Sequence, residues 1–414
     1  MSASLKRLYI VAWVFGLVFY FLDYVIRSAP AVMIPQLVDN FNTTELKLIS
    51  MVGTYYYTYS TCSLIAGIAL DKFGSKKSLF IGTLILGVGC LLFLASSQVA
   101  GITGRLLQGA GCAFAFPGCV YLASKGFSSK SLATAIGATQ CIGMLGGTAG
   151  QFVVGPWVEE GVNINTFWLW SGIATVITAF CLFFVIPKEK NEEGSPEEKP
   201  VGYLEPYKIV FRNPQSWLCG IISGLLFAPT TIFAMTWAVA FFEKDRQFAF
   251  HEAAVTSAMV AFGWVFGCPL LGFITDKIGR RKPVLAAGAV IMILSLLQLI
   301  YLPELYPARI SMFILGLGSG AAMIPYSVIK EANPDFVKGS ATGAINFITF
   351  GVTTLLSPVF SRWFGKSLGT VPGTEHFQHS VLFWITGIVL AILISLLLKE
   401  TGSRNQQTAI QAAH

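Results

Sequence analysis

An acidic and a basic residue within one apolar stretch form the part of the sequence best suited to chemistry. Asp23 and Arg27 lie four residues apart near the start of the chain, inside an otherwise apolar run. If the run is a helix, this spacing puts both side chains on one face, together with Tyr20 and Tyr24. Each charge then neutralises the other at rest. A carboxylate on an incoming solute can compete for Arg27, because a planar guanidinium binds carboxylates through two hydrogen bonds.

Proton uptake is the second chemistry that this pair predicts. Asp23, once released by Arg27, can take a proton, since burial disfavours the charged form of an acid. The pair would thus couple solute entry to proton entry. The alternative is that Arg27 lies in the outer third of a membrane helix and extends to the membrane surface, with Asp23 as its structural partner. Charged residues within membrane helices commonly face a watery cavity, so both interpretations stay open at this point.

The composition predicts a membrane protein rather than a soluble one. Of the 414 residues, 54% are hydrophobic and 12% are charged, and the mean hydropathy is +0.67. Soluble domains average about 25% charged residues. The apolar residues form runs of about 20, the length that crosses about 30 Å of hydrocarbon as a helix. The net charge of +7 does not indicate nucleic-acid binding, because the basic residues lie in short loops between these runs.

Twelve apolar runs predict twelve membrane helices and an all-α membrane protein. The runs cover residues 8–33, 48–70, 78–97, 100–124, 132–155, 166–186, 216–242, 253–275, 283–302, 310–329, 341–360 and 381–398. Residues 187–215 are polar and charged, which is typical of a linker. The predicted organisation is therefore a first six-helix bundle over 1–186, a linker, a second six-helix bundle over 216–398 and a tail over 399–414.

The placement of the basic residues predicts the orientation of the helices. Most of the 28 lysines and arginines fall on the side of the N-terminus and the linker, which marks that side as cytoplasmic. Both termini are then cytoplasmic, and we expect a bacterial inner membrane. The first run is expected to be a membrane helix and not a removable signal peptide. The eight cysteines and four histidines show no metal-site or disulfide spacing, so we expect no metal, no cofactor and no enzyme activity.

A loop sequence occurs twice, each time between two apolar runs. The first copy is Gly67-Ile-Ala-Leu-Asp71-Lys-Phe-Gly74-Ser-Lys76-Lys77, and the second, 205 residues later, is Gly272-Phe-Ile-Thr-Asp276-Lys-Ile-Gly279-Arg280-Arg281-Lys282. The repeat extends to Gly109-Ala-Gly111 and Gly316-Leu-Gly318. This pattern resembles the loop signature of the major facilitator superfamily, which joins helices two and three and recurs between helices eight and nine. The resemblance implies two pseudo-symmetric six-helix bundles with a solute site between them near the membrane midplane.

The resemblance also implies a gate at the repeated loops. Asp71 would face the start of the eleventh helix near Ser340, and Asp276 the start of the fifth helix near Ser131, closing the cytoplasmic side. The candidate gating residues are Gly67, Asp71, Gly74 and Lys77 in the first copy and Gly272, Asp276, Gly279 and Arg280 in the second. The alternative is a plain turn whose charges only mark topology.

Further polar residues within the runs complete the candidate site. Clustered tyrosines from Tyr55 to Tyr59 would line a cavity or form an aromatic belt at the membrane surface. Arg105, with Gln108 and Gly109, resembles a segment of the fourth helix in which the arginine is linked to proton coupling or to packing; an interfacial arginine is the alternative. The candidate solute-binding residues are Arg27, Tyr24, Tyr56, Tyr57, Gln140, Trp237, Tyr326 and Asn346, and the candidate proton-coupling residues are Asp23 and Arg105.

The predicted function is secondary-active transport of a small organic solute by alternating access, with proton-coupled import. The segment Tyr24–Met33 is similar to the first helix of superfamily branches that include bacterial phagosomal amino-acid transporters and lysosomal dipeptide carriers, which favours amino acids or short peptides. The alternatives are a drug or metabolite antiporter, a symporter of organic anions or sugar acids, and a membrane sensor without transport. The expected partners are the solute, protons and the lipid bilayer, with no nucleic acid, and we expect a monomer.

Overall fold

Helices account for nearly all of the chain that the structure describes. The computed structural model describes residues 3–127, 129–187, 204–334, 337–367 and 373–401, and within these ranges no residue lies in a β-strand. The all-helical architecture predicted from the apolar runs is therefore confirmed. The predicted tail, 399–414, lies outside the described residues beyond position 401.

Nine helices form the first half of the described chain. Their bounds are α1 (Ala3–Ser28), α2 (Ile34–Phe41), α3 (Glu45–Gly53), α4 (Tyr55–Leu92), α5 (Gln98–Cys112), α6 (Ala115–Gly126), α7 (Ser129–Phe152), α8 (Val154–Glu159) and α9 (Ile164–Val185). Helix α4 contains most of the predicted second span, 48–70, and most of the third, 78–97. Its backbone departs from helical geometry at Gly74, where φ is 76° and ψ is 168°, so the chain turns there.

The second half is likewise built of helices, some of them interrupted within a predicted span. Its helices are α10 (Glu205–Arg212), α11 (Pro214–Ala228), α12 (Ala238–Arg246), α13 (Phe250–Ile278), α14 (Lys282–Tyr301), α15 (Ala308–Ser319), α16 (Ile324–Glu331), α17 (Lys338–Ser367) and α18 (Gly373–Ser395). A π-helical segment, Pro229–Trp237, joins α11 to α12, and a short 3₁₀ turn, Gly320–Met323, joins α15 to α16. Both joined stretches correspond to one predicted span each.

Ten of the twelve predicted spans have the helix length and composition that a membrane crossing needs. Among the described residues, ten helical stretches are long and apolar enough to cross a membrane. The predicted second and fifth spans, 48–70 and 132–155, are not among them. A break at Thr54, between α3 and α4, shortens the former. The count of twelve stays a prediction at these two places.

The two halves repeat the same close helix contacts. A Cβ built on Gly109 of α5 would lie 2.1 Å from the carbonyl oxygen of Tyr55, and one built on Gly316 of α15 would lie 2.0 Å from that of Val260. Tyr55 and Val260 are 205 residues apart, the offset of the two loop copies. The sequence repeat is therefore also a repeat of packing, since only glycine fits such an approach of two helix backbones.

The two halves meet along two seams. Helix α7 packs against α13 on one side of the bundle, and α4 packs against α17 on the other. We call the end of the bundle that carries Gly74 and Gly279 the motif end, and the opposite end, where Glu45 forms an ion pair with Lys244, the far end. Gly74 and Gly279 both have positive φ, 76° and 69°, so each turn of the repeated loop needs glycine.

The predicted linker contains a helix that its composition conceals. Residues 188–203 lie outside the described chain, but α10 follows them and buries Tyr207 and Val210. The Tyr207 hydroxyl donates a hydrogen bond to the carbonyl oxygen of Leu64 at 3.2 Å. A Cβ on Gly67 or on Gly343 would lie 2.6 Å or 2.8 Å from this hydroxyl. Tyr207 thus fills a niche between α4 and α17 at the motif end.

Candidate functional site

Asp23 and Arg27 form a closed hydrogen-bonded unit with Tyr55. Arg27 Nη2 donates to Asp23 Oδ1 at 3.0 Å and to Oδ2 at 3.1 Å, and both side chains are fully buried. The Tyr55 hydroxyl donates to Asp23 Oδ1 at 2.8 Å and accepts from Arg27 Nε at 3.1 Å. The i,i+4 spacing on α1 produces the pair as predicted. Removing either charge would leave the other buried without compensation.

Aromatic rings enclose the guanidinium of Arg27. Its Cζ atom lies 4.2 Å from the ring centre of Tyr24, 4.6 Å from Tyr59, 5.1 Å from Tyr55 and 5.6 Å from Phe350. Such faces attract a cation, more strongly where water is excluded. Phe350 belongs to α17, so Arg27 sits where the first half meets the second. The Arg27 side chain is fully buried within the protein.

Two buried nitrogens in this region have no hydrogen-bond acceptor. They are Arg27 Nη1 and Asn346 Nδ2, both among the unsatisfied buried atoms of the described residues. Asn346 lies one turn before Phe350 on α17, and its Oδ1 accepts a hydrogen bond from the Tyr326 hydroxyl at 2.5 Å. A buried donor without a partner costs about 1–3 kcal/mol. The site therefore offers donors from both halves to an acceptor that the chain itself does not supply.

A cavity of about 690 Å³ leads from the motif end toward this site. It lies between α6 and α7 of the first half and α13 and α16 of the second, and Gln140 and Tyr326 line it. Gln140 Oε1 accepts from the Tyr20 hydroxyl at 3.1 Å, and the Tyr24 hydroxyl lies 3.5 Å from that of Tyr20. A polar path thus runs from the cavity wall to the Tyr24 ring, against which Arg27 packs.

Hydrogen bonds join the two halves on the side of the far end. Gln151 Nε2 of α7 donates to the carbonyl oxygen of Ala234 at 2.7 Å, and Ser257 Oγ of α13 donates to Gln151 Oε1 at 3.3 Å. The Tyr56 hydroxyl donates to the carbonyl oxygen of Thr231 at 3.2 Å. The candidate residue Tyr56 therefore joins α4 to the π-helical segment. The cavity of about 690 Å³ reaches the motif end, whereas the far end holds a smaller cavity of about 260 Å³ between Val38 of the first half and Lys244 of the second.

Two of the candidate solute-binding residues lie away from the cavity and the ion pair. Tyr57 is 43% exposed on the outer face of α4. Trp237 is buried against Phe360 and Phe364 and does not line the cavity. Consecutive helix positions point in different directions, so a run of tyrosines cannot share one face. Tyr55 and Tyr59, spaced by four, are the members that contact Arg27.

Arg105 is buried among acceptors of the protein itself. Its Nε donates to the carbonyl oxygen of Val52 at 3.2 Å, and its Nη1 donates to Gln108 Oε1 at 2.7 Å and to the carbonyl oxygen of Ile26 at 3.3 Å. These contacts tie α1, α3 and α5 together. Arg105 is therefore not an arginine of the membrane surface, and its contacts are those of packing. A role in proton coupling stays a prediction.

The second repeated loop is held by an ion-pair network. Arg281 donates to Asp276 Oδ1 at 2.8 Å and to Glu331 Oε1 at 2.7 Å. Burial lowers the pKa of Arg281, but its bonds to Glu331 and Asp276 outweigh this and raise that pKa above its ordinary value. Arg280, like Lys77 of the first loop, is exposed. Gly272 adjoins the cavity, and a Cβ there would meet nothing within 4 Å.

The predicted gate contacts lie partly outside the described residues. Ser340 is buried, but the side chains of Asp71 and Ser131 are not described, so the pairing of Asp71 with Ser340 and that of Asp276 with Ser131 both stay predictions. The Asp276 side chain is 72% exposed and pairs with Arg281 within its own loop.

The chain resembles transporters of known families along most of its length. It matches the sequence model of the Major Facilitator Superfamily over residues 16–352 and 253–413. It is 24% identical over 395 residues to the probable sulfoacetate transporter SauU of Cupriavidus necator, which covers 90% of this chain and 89% of that protein. It is 21% identical over 406 residues to the D-galactonate transporter of Escherichia coli O6:H1, covering 89% and 92%.

A third relative and a solved structure are also transporters. The hexuronate transporter of Escherichia coli K12 is 25% identical over 304 residues, covering 66% of this chain and 68% of that protein. The crystal structure of a bacterial homolog to the human lysosomal transporter Spinster, inward-facing and unoccupied, superimposes with a TM-score of 0.70 at 15% identity over 94% of this chain and 97% of that one. The chain thus belongs to the Major Facilitator Superfamily and is a multi-pass membrane transporter of small organic solutes, not an enzyme.

Proposed function

We propose that this transporter carries a small organic anion, a carboxylate or sulfonate, into a bacterial cell together with protons. The observation that carries the proposal is the unpartnered Nη1 of Arg27, inside a closed aromatic box where the two halves meet. A guanidinium is the side chain best matched to an oxyanion. Three relatives are named for sulfoacetate, hexuronate and D-galactonate. Organic anions therefore replace amino acids and short peptides as the preferred solute class.

The need to keep the net charge of the buried site at zero supports coupling to protons. At rest the Asp23 carboxylate and the Arg27 guanidinium cancel. An anion bound to Arg27 adds one negative charge to a buried site, which is costly. One proton on Asp23 restores neutrality. Anion and proton thus enter the site together at lower free energy than either enters alone, which is the requirement for symport.

The remaining donors suit the uncharged part of such a solute. Asn346 Nδ2 has no acceptor, and Gln140 and Tyr326 line the adjoining cavity. Amide and hydroxyl groups bind the hydroxyls of a sugar acid or the second oxygen group of a short-chain acid. In this proposal Arg27 selects for the negative charge and the other three residues select for the shape and the hydroxyl pattern.

The state of the two ends fits alternating access. The motif end carries the basic loops, so we assign it to the cytoplasm of a bacterial inner membrane. The larger cavity then opens to the cytoplasm, and the hydrogen bonds of Gln151 and Tyr56 join the two halves on the far side of it. In the opposite state the repeated loops would meet the opposite half and the contacts at Ala234 would separate. We assign the transporter as a monomer.

Uptake by purified transporter in proteoliposomes tests the proposal. Labelled D-galactonate, a hexuronate and sulfoacetate are compared with alanine and a dipeptide, with and without an inward proton gradient. We expect the gradient to accelerate uptake of at least one anion. Arg27→Met should abolish this uptake, whereas Arg309→Met, an exposed arginine at the start of α15, should not. Uptake of the dipeptide instead, anion uptake that survives Arg27→Met, or a proton gradient that drives the solute out would contradict the proposal.

A further inference from the structure

Two cysteines on facing helices of opposite halves line the transport cavity. Cys141 lies on α7 and Cys268 on α13, the two helices that form one seam between the halves. Both are free thiols, both are partly exposed, and both contribute to the cavity wall. No step of the proposed transport reaction uses either thiol.

A proline fixes the position of the first thiol against the second helix. Pro269 lies inside α13 and has no N–H, so the carbonyl oxygen of Val265, four residues earlier, loses its helical donor. The Cys141 thiol donates to this oxygen across the seam, with Sγ at 3.4 Å. Cys141 thus supplies, from the first half, the hydrogen bond that the proline removes from the second half.

The contact between Cys141 and Val265 also places the Cys141 and Cys268 thiols near each other on the seam. Cys268 follows Val265 by three residues, a rise of about 4.5 Å along α13 that still falls on the same face. Side chains of a helix tilt toward its N-terminus, which directs the Cys268 side chain back toward the level of Val265. The Cys141 Sγ already contacts Val265, so both sulfur atoms face the same part of the cavity.

We propose that Cys141 and Cys268 form a two-thiol modification site that binds trivalent arsenicals. An arsenical R–As=O reacts with both thiols to give R–As(S-Cys)₂ and water: two As–S bonds form, and the oxygen leaves with the two thiol protons. No oxidant is needed. The product joins α7 to α13 covalently and ties the halves together at the cavity, so the halves can no longer move apart along this seam and transport stops.

The other cysteines are unsuited to this reaction. Cys90, Cys112, Cys119 and Cys219 are buried, and the two remaining ones, Cys62 and Cys181, are partly exposed but do not line the cavity. Each of these last two lies on a separate helix, α4 or α9. The chain therefore supplies its own matched control, a partly exposed thiol outside the cavity.

Mass spectrometry of the purified transporter with phenylarsine oxide tests the site without any assumption about the solute. We expect one arsenical to link the peptides of Cys141 and Cys268, and a dithiol such as 2,3-dimercaptopropanol to remove it. Two thiols held together bind about 10²–10⁴-fold more tightly than one. Cys141→Ser and Cys268→Ser should each weaken binding by a factor of this order, whereas Cys62→Ser should not. Serine at position 141 keeps a donor for Val265.

Uptake provides a second readout, which rests on the proposed function. Phenylarsine oxide should block uptake by the wild-type protein and by Cys62→Ser, but not by Cys141→Ser or Cys268→Ser, which should transport normally without it. Equal arsenical affinity in the wild type and both cavity variants, or a linked peptide pair that excludes either cysteine, would overturn the site. A protein that binds arsenical as described but carries no organic anion would overturn only the proposed function.

Discussion

Removal of one charge from the Asp23–Arg27 pair should destabilise the transporter strongly. In Asp23→Leu, the guanidinium stays in its aromatic box with only the Tyr55 hydroxyl as acceptor. In Arg27→Met, the Asp23 carboxylate keeps only the hydrogen bond from Tyr55. Loss of one partner from a buried ion pair costs about 3–5 kcal/mol. Each single variant should therefore unfold at a clearly lower temperature or denaturant concentration than the wild type.

The double variant Asp23→Leu/Arg27→Met should recover most of this loss. Both replacements are apolar and similar in volume to the residues they replace, and exchange of a whole buried ion pair for apolar residues is often neutral. The four proteins form a double-mutant cycle, and the coupling free energy should lie at or above the upper end of the usual range of about 0.5–3 kcal/mol. All three variants should lose uptake, because the solute and proton sites are both altered.

Unfolding of the purified proteins in detergent, followed at one pH, measures the cycle. The control is the exposed pair of Glu45 and Lys244, where Lys244→Ala should change stability by less than about 1 kcal/mol. Single variants as stable as the wild type would mean that the charges are not buried as a pair. A double variant that loses the sum of the single losses would mean that the two charges do not interact. Either result refutes the structure of the site.

Three further changes probe packing around the site. Gly316→Ala should lower the free energy of unfolding by about 1–3 kcal/mol, because its Cβ would lie 2.0 Å from the Val260 carbonyl oxygen. A Cβ at Gly272 would meet nothing within 4 Å, so Gly272→Ala should leave the unfolding temperature unchanged. Equal effects of the two variants would contradict the packing. Tyr207→Phe should cost about 1 kcal/mol in the same assay, through its bond to Leu64, and no change would mean that the bond is not formed. Arg105→Lys should lower stability and leave the proton dependence of uptake intact; a stable variant whose uptake ignores pH would favour the coupling role instead.

The sequence predicts best where a short spacing decides the geometry. Asp23 and Arg27 are four residues apart on one helix, so their pairing needs no knowledge of the rest of the fold. The sequence repeat likewise relates Gly109 to Gly316, 207 residues apart, and these two glycines make matching contacts with Tyr55 and Val260, which are 205 residues apart. The ring of Phe350 over Arg27 comes from a helix more than 300 positions along the chain, and no local pattern could predict it.

Local composition is not enough to place Tyr57 or helix α10. Neighbouring tyrosines on a helix point in different directions, so Tyr57 lies on the outer face of α4, whereas Tyr55 and Tyr59, spaced by four, face Arg27. The composition of the linker does not predict helix α10, because the charged stretch before the helix dominates that composition. Its own apolar positions, Tyr207 and Val210, are spaced by three and would have indicated a one-sided helix.

The paired glycine contacts have a consequence for how the molecule moves. Within each half, backbone lies against backbone at Gly109 and at Gly316, and such contacts leave no room for one helix to slide on its neighbour. The seam between α7 and α13 lacks this restraint at Gly137 and Gly272, where a Cβ would meet nothing within 4 Å. Each half should therefore move as a rigid body, and the conformational change during a transport cycle should be concentrated along the boundary between the two halves.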